Sequence, residues 1–524
     1  MLVIGSGAAG LRAAIEAKRL GARVLMISKS TIGGASCTLF AGGSFRAAIE
    51  GLTEEEHYRL TLESGKGVND RRLVRTLVSD APSRVLEMER MGMHATRVPG
   101  ELFCQGRPFV WGREIVRTLR NVASDLGVEF LPYTFAIDLL SDKRAVVGSL
   151  VYHKKSDRFL AILSGSTVLA TGGAGGLFMR RDHPSQINGD GYALAYRVGA
   201  SLRDMEFIQF YPLTIMEGKR MARMIPPLLA DVSHLVNEKG EDILKRYHIG
   251  DRPVAIVARD KLSQAIYREC SGGRVHMDLR ELKPPGWKIN PLAESIEQVM
   301  KKRYRADRVP LPISPAAHHT MGGVVIDGDG ATEVPGLFAA GEVVGGVHGA
   351  NRMGGNALSD TVVFGARAGS SAARYALEKG IQPDHNEAAV SHARTLYQKI
   401  SSEYLVRHDD FLKAREILGR ILWERGGIIR TAETLRLGLD EVEQLQQRLT
   451  MESPAAPCRK SILEQAQLAN AIWVSRLIME SALRREESRG AHFRGDYPIS
   501  DDKRWLGNIH VRRLHGEIKF DFSS

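Results

Sequence analysis

The chain has 524 residues, 43% of them hydrophobic and 25% charged, enough for a sizeable core spread over roughly two to four domains. No run of about 18 apolar residues occurs, which excludes a membrane-spanning helix, and no basic stretch, apolar region and cleavage site follow one another at the N-terminus. The net charge of +11 comes without a nucleic-acid motif or interleaved aromatics, so an anionic cofactor, an anionic substrate and an acidic protein partner are expected in place of nucleic acid.

In chain order, residues 2–4 read as a short apolar strand. A Gly5-Ser6-Gly7-Ala8-Ala9-Gly10 turn and an alanine-rich, helix-like stretch closing on Gly21 come next. "ARVLMISK" (22–29) is a second apolar strand, which completes a βαβ opening unit with glycines at 5, 7 and 10. Such glycines allow a tight turn and close backbone approach, and the helix N-terminus offers free N–H groups to a pyrophosphate. The second strand ends in Ser28-Lys29, not in the acid that receives an adenosine ribose, which counts against a standard NAD site.

Two later apolar runs, "STVLATGGAGG" (166–176) and "PGLFAAGEVVGG" (335–346), read as returns to the same sheet. The expected fold is therefore α/β, and α+β overall. A discontinuous Rossmann-like nucleotide domain spans 1–204 and 326–375, and a mixed α+β insert spans 205–325. A helical segment, 376–490, is expected to cap at Gly490, and a tail covers 491–524. Cys37, Cys104, Cys270 and Cys458 are scattered with no CxxC, so no zinc or iron–sulfur site can be built from cysteines of this chain alone. The adjacent His318 and His319 in "SPAAHHTMGG" (314–323) could hold a metal, carry acid–base chemistry or end a loop; the spacing suggests no further metal ligands.

Distant stretches then converge. "GSGAAGLRAAIEA", "SKSTIGGASCTLFAGG", "NGDGYALAYRVGA", "EFIQFYP", "VARDKLSQAIYRE", "SPAAHHTMGGV", "GEVVGGVHGANRMGGNALSDTVVFG" and "ESRGAHFRGDYP" run nearly end to end. Together the chain resembles the flavoprotein family of succinate dehydrogenase, fumarate reductase and L-aspartate oxidase. That resemblance implies FAD in the Rossmann-like domain, a capping domain over the flavin ring and a C-terminal helical domain. Ser28-Lys29 then stops being a defect, because this family commonly ends that strand so.

By resemblance, FAD contacts fall on Gly5, Gly7, Ala8, Ala9 and Gly10, on Ser28 and Lys29, and on Ala35, Ser36, Cys37, Thr38, Gly42 and Gly43 of the following loop. Ala136, Ala170, Thr171 and Gly172 follow, then Asp190 and Glu342, and finally Asn356, Ala357 and Leu358. Cys37 occupies the place where respiratory members carry a flavin-linking histidine, so non-covalent FAD is expected.

Interconverting a carboxylate-activated alkane and alkene moves a hydride and a proton while the carboxylate is held. Fixed arginines suit the holding, since they stabilise charge that builds on oxygen. The resemblance gives these tasks to Arg259 as proton carrier and to His318 and Arg352 as substrate ligands, with His319 a packing neighbour. Gln209 and Tyr211, which stand where the dicarboxylate members carry "Q-F-H-P", are expected to touch the substrate as well.

One departure is larger. The family stretch that supplies a threonine and the Glu–Arg arms of a proton relay falls on the apolar "IPPLLADVS", at Ile225, Pro226 and Leu229. Burying a carboxylate there without donors costs on the order of several kcal/mol. Either the distal end of the site accepts an apolar group, or Glu217, Lys219, Arg220 and Arg223 rebuild it.

The leading expectation is an FAD-bearing catalytic subunit that binds a small carboxylate and exchanges electrons with an iron–sulfur partner. It is expected in the cytoplasm, at the inner face of the membrane only where partners hold it there. The alternatives are an L-aspartate oxidase-like enzyme acting alone and a catalytically altered flavin-binding subunit.

Overall fold

Five short strands form a parallel sheet in the spatial order Leu337–Ala339, Thr167–Leu169, Leu2–Ile4, Leu25–Ser28 and Glu129–Pro132. They belong to a computed structural model that describes residues 1–142, 145–215, 221–380, 383–402, 407–451, 459–514 and 517–524. Inner strands of this sheet are covered on both faces, which is why they read as unbroken apolar runs and do not alternate. Leu2, Val3, Val168 and Leu169 are wholly buried.

The helix Ala8–Arg19 leaves the first strand and packs along Asn356–Lys379, a long helix reached only near the end of the nucleotide domain. Their backbones nearly touch. A Cβ at Gly365 would lie 2.7 Å from the Ala9 carbonyl oxygen, and one at Gly369 would run into the Ala13 backbone. Small residues on both helices make this contact possible and draw two helix N-termini toward the same sheet edge.

The insert has its own five-stranded sheet, in the order Arg223–Met224, Ile208–Ile215, Leu311–Thr320, Val275–Asp278 and His234–Val236. Neighbouring strands there run antiparallel. Ile208–Ile215 is buried along its whole length, and its register against Leu311–Thr320 slips after Gln209 and after Tyr211. Such irregularities re-aim side chains, and these two residues stand beside the site. The helix Arg259–Cys270 packs on this pair of strands.

Helices His408–Arg425, Ala432–Met451 and Arg459–Arg484 pack together in the C-terminal region. The last of them stops at Arg484, so Gly490 is not its cap. Instead Arg485 and Glu487 turn inward, wholly buried, and Arg485 bonds Glu206 at 2.6 Å and Glu487 at 3.0 Å. That ionic network peels the chain off the helix. Gly490 then takes a left-handed turn at φ +56° against the Ala350 carbonyl.

Residues read from sequence as a tail form a hairpin, Asn508–Leu514 with Glu517–Ser523, which pairs onto Leu202–Arg203. A further three-stranded sheet, Thr134–Asp142, Ala145–His153 and Arg158–Leu163, stands beside the parallel one. Among the described residues no helix is long and apolar enough to cross a membrane. Cys458, Glu217, Lys219 and Arg220 lie outside the described residues.

Candidate active site

A cleft of about 280 Å³ opens at the carboxyl edge of the parallel sheet, where ligands gather in open α/β folds. Ile4, Ser28, Ala170 and Ala340 carry the strand ends into it. Gly5 makes the first turn at φ +114°, and a Cβ there would strike the Ala170 carbonyl, so only glycine fits. Gly7 caps the helix in an extended conformation, and the Ala8 N–H donates to Thr38 Oγ1 at 3.0 Å. Ser6 Oγ donates to Ser28 Oγ at 2.8 Å and accepts from the Gly33 N–H at 2.8 Å, which ties the loop after the second strand to the glycine turn.

Lys29 pairs with Asp190 and also donates to Asn188 Oδ1 at 3.1 Å, while Asn470 holds the other Asp190 oxygen at 2.9 Å. Of the residues expected to touch a cofactor, those between Gly5 and Ala9, Ser28 and Lys29, the Ala35–Thr38 run with Gly42 and Gly43, Ala136, the Ala170–Gly172 run, Asp190, Glu342, Ala357 and Leu358 line this cleft. Gly10 and Asn356 do not. Gly10 presses on the Gly5 carbonyl. Asn356 is wholly buried facing the other way, donating to Thr61 Oγ1 at 2.9 Å and bonded to His57 Nε2 at 2.8 Å.

At the insert end of the cleft stand Tyr211, Arg259, His318, His319 and Arg352. Arg259 is 4% exposed and Arg352 8%, yet among the described residues neither forms an ion pair. Arg259 donates to the carbonyls of Ala255 and Arg352 at 3.2 and 3.3 Å. Arg352 Nε donates to Gln209 Oε1 at 3.1 Å. Gln209 itself sits behind Arg352 and off the cleft wall, its amide donating to Asn351 Oδ1 at 2.6 Å.

Burial, together with the like charge of Arg259, lowers Arg352 to about 9. Two buried cations with no described acid in ion-pair contact are costly, and an incoming anion relieves that cost. Tyr211 Oη donates to the Ile225 carbonyl at 2.6 Å, and burial pushes its phenol well up.

Two residues that sequence reading passed over complete this corner. Asp182 Oδ2 lies 2.6 Å from His318 Nδ1, and its other oxygen lies 3.1 Å from His183 Nδ1. Burial alone would raise Asp182, but His318 and His183 hold it well below the usual carboxylate range. Burial would likewise lower His183, but Cys37, Asp182 and Glu342 raise it well above its ordinary value. The only sequence signal was the acid–imidazole pair in "RDHPSQINGDG", between two recognised landmarks. Cys37, His183 and Glu342 each bring one ligand atom within 4.8 Å of the others. Burial and Glu342 push the Cys37 thiol up to about 12, so that sulfur keeps its proton.

The comparisons with known proteins settle the family. A profile described as "FAD binding domain" matches residues 1–358, and one described as "Fumarate reductase flavoprotein C-term" matches residues 415–523. The chain belongs to the fumarate reductase flavoprotein family. It is 33% identical over 544 residues to a subunit of the CoM/CoB fumarate reductase of Methanothermobacter marburgensis, covering 98% of this chain and 97% of that one. An L-aspartate oxidase of Streptomyces coelicolor is 30% identical, with 98% and 91% covered. A solved quinol fumarate reductase of E. coli superposes with a TM-score of 0.88 at 27% identity, covering 100% of this chain and 96% of that chain.

As a family member the chain is an FAD-dependent oxidoreductase acting on CH–CH bonds. The cleft fits that cofactor on its own evidence. Among the described residues, nothing hydrogen-bonds the Thr171 hydroxyl or His319 Nε2, both buried on its wall. Two helices begin at this cleft, with Ala8 of one and Ala357 of the other on its wall, and helix N-termini favour phosphate charge.

Proposed function

We propose that the chain is the FAD-bearing catalytic subunit of a complex that interconverts a carboxylate-activated C–C and C=C bond, with FAD held non-covalently and electrons exchanged with an iron–sulfur partner. The observation that carries this reading is the pair of buried arginines, Arg259 and Arg352, facing one cleft beside His318 and, among the described residues, in ion-pair contact with no acid. FAD supplies the hydride chemistry.

The chain's residues do the rest. Arg352 and Arg259 grip one carboxylate and stabilise the charge that builds on its oxygens as the adjacent bond changes order. Gln209 braces Arg352 from behind. Among the described residues, Met224, Pro227 and Leu292 add an apolar stretch to the cleft wall, and Ile225 and Leu229 lie wholly buried in the core. Arg223 is the member of the rebuilding set among the described residues, and its guanidinium sits 5.9 Å from the Phe109 ring centroid. A monocarboxylic enoate with an apolar tail fits this stretch better than a plain dicarboxylate.

The partner reading is supported by the relative from Methanothermobacter, which is itself one subunit of a fumarate reductase, and by a chain whose own cysteines lie far apart in sequence. In this reading the chain works in the cytoplasm, and at the inner face of the membrane only where a partner holds it there.

Anaerobic photoreduction of the purified flavoprotein, followed by flavin reoxidation against fumarate, trans-2-hexenoate and oxygen, tests the reading. Fast reoxidation by hexenoate and slow reoxidation by fumarate is expected. Fast reoxidation by fumarate removes the apolar-tail part. Response to oxygen alone favours the second reading, a stand-alone L-aspartate oxidase-like enzyme, which the 30% identity to that enzyme over 98% of the chain supports.

A further inference from the structure

Each turnover at a C–C bond moves one proton as well as one hydride. Arg259 is poorly connected for that task. Its guanidinium donates to two backbone carbonyls, and among the described residues no carboxylate or imidazole bonds to it. The positions aligned with the family's relay arms carry Pro226 and Leu229, both buried.

His318 is connected. Asp182 Oδ2 stands 2.6 Å from its Nδ1. Behind Asp182, His183 reaches its second oxygen at 3.1 Å and Glu342 Oε1 at 3.6 Å. A carboxylate on Nδ1–H fixes the tautomer and leaves Nε2 for the reacting atom. The ring lines the cleft at 20% exposure, and among the described residues no hydrogen bond engages Nε2.

We infer that His318 is the proton donor and acceptor of this active site, positioned by Asp182 and His183, and that it takes up its proton as a carboxylate settles against Arg259 and Arg352. The inference rests on the carboxylate-gripping reading above. In the reducing direction the Nε2–H bond breaks and a C–H bond forms on the carbon next to the one that receives the hydride. The substrate gains the hydride, with its two electrons, and this proton, and His318 is left neutral with Nδ1–H still on Asp182. Oxidation runs the same steps backward.

The charged and titratable groups around the ring come from several elements. Asp182 and His183 come from the loop before Asp190–Arg197, Tyr211 from Ile208–Ile215 and Arg259 from the start of its helix. Arg352 comes from the loop before Asn356–Lys379, and His319 is the strand neighbour. Burial, with Arg352 and Arg259 adding to it, lowers the imidazolium, and Asp182 pulls the other way. An anion between the arginines cancels their repulsion and leaves the pull of Asp182.

Calorimetric titration of the oxidised holoenzyme reads this directly, because oxidised flavin cannot turn over an enoate. Fumarate and trans-2-hexenoate are titrated near pH 7.5 in buffers of different ionisation enthalpy. The acid that binds is expected to bring uptake of about one proton per site. Asp182→Asn is expected to keep flavin and bind within about tenfold while uptake falls toward zero and the reduction rate drops about 100-fold; Asp182→Glu restores both. Binding without uptake in the unmodified enzyme, or unchanged uptake in Asp182→Asn, overturns the inference and leaves the proposed function standing. Failure of every carboxylate to bind overturns both. Should Asp182→Asn not fold, the unmodified enzyme's proton count and that of His318→Gln, expected at zero, decide.

Discussion

Arg352 Nε donates to the side-chain oxygen of Gln209 at 3.1 Å, a neutral acceptor where a buried guanidinium would ordinarily meet an acid. This keeps Arg352 in place without spending its charge. Gln209→Glu would supply the missing counter-charge from within. Carboxylate affinity of the oxidised enzyme, read from the flavin spectrum, is then expected to fall about 10- to 100-fold, or roughly 1.4–2.8 kcal/mol, with flavin content unchanged.

Removing the charge itself separates stability from function. Arg352→Gln relieves the burial cost and the repulsion from Arg259 that lower Arg352 to about 9. The unliganded protein is expected to gain about 1 kcal/mol in denaturant midpoint, while kcat/KM drops about 10³-fold. Loss of both stability and activity would mean that Arg352 is chiefly structural.

Leu292 shares the apolar stretch of the cleft wall with Met224, whose methyl group would lie 2.9 Å from a Cβ at Gly42. Leu292→Ala enlarges the cleft there. It is expected to raise the rate on longer-tailed enoates about tenfold relative to shorter ones and to cost about 2–3 kcal/mol of stability. Competition assays with a chain-length series read the first effect, and chemical denaturation reads the second.

Cys37 is held as a thiol, pushed up to about 12 by burial and by Glu342, so it is a poor nucleophile toward the cofactor. Acid precipitation is expected to leave a yellow supernatant and a colourless pellet, and Cys37→Ser to load FAD to the same stoichiometry. A yellow pellet would reverse the non-covalent assignment.

The Asp182–His183–Glu342 cluster also sets a pH window. Asp182 and Glu342 sit below their ordinary values of 3.8 and 4.5, so the stability they add is present above those values and is lost as pH falls. His183 sits above its ordinary 6.5, so its contribution is complete below 6.5 and is lost as pH rises through the raised value. Cofactor-free protein is expected to melt highest between about pH 5 and 6.5 and lower on both sides. Asp182→Asn should flatten the acid limb in a thermal scan across pH.

The local features were legible in the sequence. A glycine turn after an apolar strand needs no distant contact to be recognised, because Gly5 alone tolerates the turn and the Ala170 carbonyl against it. The order of apolar runs likewise disclosed a divided nucleotide domain, and the family landmarks placed Arg259, His318 and Arg352. The direction in which a side chain points was a different matter. Asn356 reads as a cofactor ligand, but it opens a helix beside Glu54–Ser64, where His57 and Thr61 claim its amide. Gly490 reads as a cap, but the buried Arg485–Glu487 pair ends the helix sooner.

The apolar run after residue 224 gives no period to assign its faces. Packing buries Ile225 and Leu229 and leaves Pro227 to the cleft. Nor does any spacing link Asp182 to His318, which are 136 residues apart. Chain order and glycine placement pointed to the nucleotide-binding fold, because turns and strands obey local sterics, and the landmark motifs added the kind of protein this is. Which acid meets which imidazole, and which stretch of the cleft wall is apolar, depended on two domains closing on one another, since charge and burial act across space and not along the chain.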